Sequence, residues 1–185
     1  MKYEFLKSYI RKALYHAAAN NAVDIISSLL AMKYATPQEL GVALTYASMN
    51  NYPRTVQMLI DTGADLNHVS ALGTPLTEAI YEENIEIVRI LLESGADRSI
   101  PEYGEVLPLL TIAAGKGNLE IVQLLVKAGA DVNQIAQSSG AFALDSAAGG
   151  GYEDVFKYLA PLTNPELREE AEKILLLGIS ETEGK

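Results

Sequence analysis

The side chains most able to do chemistry are few in this 185-residue chain, and they do not converge. Its two histidines, His16 and His68, stand 52 positions apart, and neither has the H-E-x-x-H type of spacing that sets a second ligand or a general base on the same helix face. Cysteine is absent, which removes thiolate metal sites, disulfides and cysteine nucleophiles together and fits a reducing compartment. The run Gly149-Gly150-Gly151 has the composition of a phosphate-cradling loop. No strand pattern precedes it, however, and no Lys-Ser or Lys-Thr follows. Serines are present without a G-x-S-x-G elbow to expose one. Asp61, Asp65, Asp97 and Asp131 recur along the chain instead of clustering, so they read as turn formers set out in a row. No catalytic residue, metal ligand or cofactor is assigned, and an enzyme is not expected.

The recurrence of those aspartates points to the elements that carry them. Gly73-Thr74-Pro75-Leu76-Thr77-Glu78-Ala79-Ile80 is followed by an apolar run from Ile85 to Leu92 and then by Gly95-Ala96-Asp97. The same order returns from Leu110 to Asn133 and, upstream, from Leu44 to Asn67, with weaker copies after Leu14 and Leu144. The equivalent leucines 14, 44, 76, 110 and 144 are spaced by 30, 32, 34 and 34 residues.

Each position in this pattern has a physical reason. Thr74 suits an N-cap, and Pro75 suits the first helical position, where its missing N–H costs nothing. Ala17, Ala47, Ala79, Ala113 and Ala147 share one register, where a small side chain lets helices approach. Ile87, Val88, Ile90, Leu91 and Leu92, with charges between them, make a second helix buried on most of its circumference. Gly63, Gly95 and Gly129 can close that helix in the left-handed conformation.

The two ends differ from the middle. Tyr3, Leu6, Tyr9, Ile10, Ala13, Leu14 and Ala17 keep the helical period, which predicts one long opening helix packed through these residues with its lysines and arginine in water. Thr36-Pro37-Gln38-Glu39 reads as a capping box that leaves room only for a short loop before it. Asn164-Pro165-Glu166 predicts a closing helix through Leu177, docked by Leu167, Ala171, Ile174, Leu175 and Gly178, with a loose tail from Glu181.

The period, and the match of Thr74-Pro75-Leu76-Thr77-Glu78-Ala79 to the T-P-L-H-x-A core, are similar to those of the ankyrin-repeat family from about Met1 to Leu162. The resemblance implies an all-α solenoid of five helix-turn-helix units with short hairpin fingers and a C-terminal capping helix. Its expected parts are a capping unit at 1–35, four further units at 36–162, a capping helix at 163–178 and a flexible tail at 179–185.

The resemblance also implies binding of another protein through the finger tips and the exposed ends of the first helices. In this sequence those registers hold Met49, Asn50, Tyr81, Glu82 and Lys116, while Glu102 and Tyr103 lie on the longer finger. An adaptor or inhibitor acting through a concave groove is the leading expectation. A bacterial effector or toxin-neutralising partner using the same groove is the alternative.

The net charge of -10 argues against nucleic acid and for a partner with a basic surface patch. No run of about 18 apolar residues suggests a membrane span, and the charged N-terminal stretch lacks the apolar run of a signal peptide. A cytoplasmic monomer is therefore expected, with the basic opening residues read as a solvated helix face.

Overall fold

In the computed structural model of the chain, residues 2–98, 101–102, 105–106 and 108–182 are described. The fold is all-α apart from one very short hairpin, and it divides into two compact blocks, residues 1–97 and 98–185. The N-terminal block holds α1 (Lys2–Ala19), α2 (Val23–Ala31), α3 (Pro37–Met49), α4 (Pro53–Asp61), α5 (Pro75–Tyr81) and α6 (Ile85–Glu93). Here α1 packs on α2 and α3, α3 on α4 and α5, and α6 on α4 and α5. First helices thus stack on first helices, and α6 on α4, in three helix-turn-helix repeats.

The C-terminal block opens with a hairpin of β1 (Pro101–Glu102) and β2 (Glu105–Val106), in which Glu102 pairs with Glu105. It continues with α7 (Leu109–Lys116), α8 (Leu119–Lys127), α9 (Ala143–Gly149) and α10 (Glu153–Leu159), a 3-10 turn (Ala160–Leu162) and α11 (Pro165–Thr182). α9 packs on α7, and α11 packs on α9 in the way a further first helix would. The closing helix runs past the residue 177 end read from the sequence, so Glu181 and Thr182 are helical.

The caps form where the sequence places them. Thr36 and Glu39 exchange side-chain and backbone bonds at 3.2 and 2.9 Å in a full capping box, and Thr74 accepts the Thr77 N–H at 3.1 Å. Asn164 does the same for α11, accepting from Leu167 at 2.9 Å. Gly63, Gly95 and Gly129 have φ of 92°, 89° and 89°, the left-handed region that a Cβ disfavours. The register leucines and alanines are buried throughout, Leu44, Leu76, Ala47 and Ala79 completely. Each such leucine contributes about 1.5–3 kcal/mol relative to exposure.

The opening helix departs from expectation. Leu14 and Ala17 are buried, but Leu6 and Tyr9 are 53% and 60% exposed, and Ala13 is exposed as well. Helical period marks a face as apolar; it does not supply the neighbour that covers it. At about 100° per residue Leu6, Tyr9 and Ala13 fall on one stripe of α1 and Leu14 and Ala18 on another, and the packing of α2 and α3 covers the second stripe and leaves the first in water.

Candidate functional site

The ends of the first helices are built on a shared backbone device. Each helix pair turns through one residue with positive φ: Asn21, Asn51 and Glu83 in the N-terminal block, Gly117 and Gly151 in the C-terminal one, at 54°, 59°, 56°, 75° and 69°. These turns keep the spacing of the register leucines, so the residues just before them occupy equivalent places.

In the N-terminal block the ends of α3 and α5 carry side chains. Met49 is half-buried at the end of α3, and Asn50 caps that helix, its amide donating to the Tyr46 carbonyl at 2.8 Å. Tyr81 ends α5 and is 41% exposed, and Glu82 beside it is exposed. The two helix ends are tied by Asn84. Its buried amide donates to the carbonyls of Ser48 and Met49 at 2.7 and 3.2 Å, which fixes Met49 against the turn after α5. One helical turn before Met49, the half-buried Tyr46 meets Tyr15 of α1 with ring centroids 6.1 Å apart and planes tilted by 36°. Burial pushes the Tyr15 hydroxyl above its ordinary value, Glu39 adding to the effect and Arg11 opposing it.

The tyrosine pair and Asn84 were not singled out from the sequence. Tyr46 follows Leu44 by two positions, as Glu78 follows Leu76, and that shared register was the available signal. Tyr15 and Tyr46 come together only through the packing of α1 on α3.

In the C-terminal block Lys116 is half-buried at the last position of α7, the register of Asn50 and Glu82. Glycines at 115, 117, 149, 150 and 151 leave room at the neighbouring places, and the Tyr152 ring takes it at 117 and 150. A Cβ at Gly117 or at Gly150 would run into that ring. Glu102 belongs to β1, and Tyr103 lies outside the described residues.

Several of the remaining candidates for chemistry have structural partners. Asp65 and Asp131 accept the N–H of Asn67 and Asn133 at 3.0 and 2.9 Å, holding tight turns. Among the described residues no group of histidine and acidic side chains could hold a metal ion, and no helix is long and apolar enough to cross a membrane. His68 lies against Gly41, and His16 is exposed on α1.

Comparison with known proteins agrees with this architecture. A family model described as ankyrin repeats in three copies matches residues 14–102 and again residues 103–169. The chain is 40% identical over 77 residues to the ankyrin repeat and KH domain-containing protein mask of Drosophila melanogaster, covering 40% of this chain and 2% of that protein. It is 39% identical over 77 residues to the human ankyrin repeat and KH domain-containing protein 1, covering 40% of this chain and 3% of that protein. The chain thus spans only a few per cent of the length of these relatives.

Proposed function

The chain belongs to the ankyrin-repeat family, whose members are protein-interaction modules, and from that premise we propose that it acts as an adaptor or inhibitor, gripping a partner on the first-helix ends of its N-terminal block. The observation that carries this reading is Tyr81, a large amphipathic side chain 41% exposed at a helix end that Asn84 ties to Met49. Aromatic side chains presented on a fixed backbone supply much of the energy at protein interfaces, because little conformational freedom is lost on contact. The acids at 78, 82 and 83 give the same region a negative character, which favours a partner with lysine or arginine on its surface and speeds encounter. Lys116, and Glu102 and Tyr103 of the finger, are further contacts proposed for the C-terminal block. The module is proposed to work as a monomer in the cytoplasm, without a cofactor.

The experiment is a paired substitution. Tyr81→Ala with Met49→Ala is expected to weaken capture of the native partner by at least about tenfold, the scale of one hot-spot side chain, with helical content and melting temperature nearly unchanged. Capture at full strength by the folded variant would remove the helix-end surface from consideration.

A further inference from the structure

The first repeat lacks the finger that later repeats carry, and the ground a finger covers elsewhere is open. Between the second and third repeats the chain folds back over the start of α3. There the Asp65 N–H donates to the Pro37 carbonyl at 2.9 Å, and His68 lies so close to Gly41 that a Cβ on this glycine would meet both His68 and the Asp65 carbonyl. Between the first and second repeats only residues 32–36 join α2 to α3, and thirty positions before Gly41 α1 carries Arg11.

Two hollows mark the uncovered place. One is a cleft of about 300 Å³ lined by Leu30, Lys33, Ala35, Leu40 and Thr62. The other, sharing Ala35, is a shallow recess faced by Lys7, Ile10, Arg11 and Tyr34. Beside them Met32 and Tyr34 are 51% and 44% exposed, large apolar groups of the kind that mark an interaction surface.

The charge of the segment that builds this surface opposes that of the rest of the chain, and three of its basic side chains, Lys7, Arg11 and Lys33, line the hollows. Residues 1–40 hold five of the 14 basic side chains and three of the 24 acidic ones, a net of +2, which leaves -12 for residues 41–185. Glu39, the acid at the recess, is held by Arg11 at 3.4 Å. The surface is also separate from the helix ends described above. Glu39 and Leu40 open α3 and Met49 closes it, about 14 Å along the axis at 1.5 Å per residue.

We propose that this uncovered surface of the first repeat docks an extended acidic segment of a partner protein. Its backbone would lie where a finger lies on the next repeat, its carboxylates would face Lys7, Arg11 and Lys33, and its apolar side chains would enter the cleft. Charge complementarity selects the occupant: a basic segment would meet like charge here and belongs on the Tyr81 surface instead.

Fluorescence anisotropy with a labelled peptide of alternating glutamate and leucine, beside its lysine–leucine counterpart, tests the assignment. The acidic probe is expected to bind and the basic one not to. Binding should weaken at least about tenfold from low to high salt, as screening requires of exposed charges. Lys7→Glu with Lys33→Glu should cost a similar factor while Tyr81→Ala changes nothing, so this surface and the helix-end surface fail or survive separately. Glutamate suits position 33, because Glu83 already holds a φ of 56° against 54° at Lys33. If the double variant melts early, the salt series on the unaltered protein decides.

Absence of binding, equal binding of both probes, or binding indifferent to salt would overturn the proposal. So would self-association that the acidic probe competes away, which would make a second copy the occupant. Recruitment to phosphatidylserine vesicles with no binding of the acidic probe would overturn it in favour of a lipid surface.

Discussion

The ends of α3 and α5 and the ends of α7 and α9 occupy the same register and turn through the same left-handed residue, yet they present opposite surfaces. In the N-terminal block that residue is Asn51 or Glu83, and Met49, Asn50, Tyr81 and Glu82 precede it. In the C-terminal block it is Gly117 or Gly151, and the Tyr152 ring lies against Gly117 and Gly150. The backbone demand is fixed by the turn, and the way it is met decides what a partner encounters. Asparagine and glutamate accept some strain and keep side chains at the helix end. Glycine accepts none, and it lets an aromatic ring close down on the backbone.

The severest way to break this comparison is to give the C-terminal block a side chain at the turn. Gly117→Ala combines a left-handed Cβ with a collision against Tyr152, and is expected to destabilise the protein by roughly 2–4 kcal/mol in urea unfolding. Adding Tyr152→Ala should restore part of that loss. A cost unchanged by the second substitution would mean that backbone strain, not the ring, sets the requirement.

A milder change sharpens the contrast from the other side. Glu83→Gly relieves strain that glycine does not carry, and should stabilise the protein by up to about 1 kcal/mol, read as a rise in melting temperature.

The smallest effect concerns pH and separates the blocks by charge. One position after the register leucine the N-terminal block has Thr45 and Thr77, buried hydroxyls bonded to the Gly41 carbonyl and to Thr74 at 3.1 and 2.8 Å. The C-terminal block has Thr111 there and, one repeat later, Asp145, whose carboxyl is pushed above the ordinary 3.8 first by burial, against the pull of the Phe142 N–H and Ser146, with Glu170 adding to the rise. A raised folded value means the native state holds the proton more tightly. That contribution to stability is full below pH 3.8 and is lost as pH rises through the raised value. Asp145→Asn should flatten this part of the stability profile, and a profile identical to that of the unaltered protein would place the effect elsewhere.

The sequence was most legible where the cause of a structure is local. Thr36 to Glu39, Thr74-Pro75 and Asn164-Pro165 each carry their own cap, and Gly63, Gly95 and Gly129 their own turn, so helix starts and stops followed from neighbours a few positions away. It was least legible where the cause lies one repeat distant. Leu6 and Tyr9 keep the helical period, but whether they are covered depends on which elements pack against α1. Tyr152 reaches Gly117 across 35 positions, and Asn84 reaches Ser48 across 36. At the candidate surface Tyr81 was visible as a register position, whereas the Tyr15–Tyr46 contact required the packing of α1 on α3.

The asparagine that ends the Gly-Ala-Asp finger base bears on how such a chain changes length. Asn67 accepts the Asp97 N–H at 2.8 Å, and Asn133 accepts the Asn164 N–H at the same distance. Asp97 opens another finger, and Asn164 opens the closing helix. One acceptor therefore serves a continuation and a stop alike. A gene that gains or loses a repeat at this joint keeps the connection on both sides, so the array can be lengthened or trimmed in inheritance without rewriting the seam.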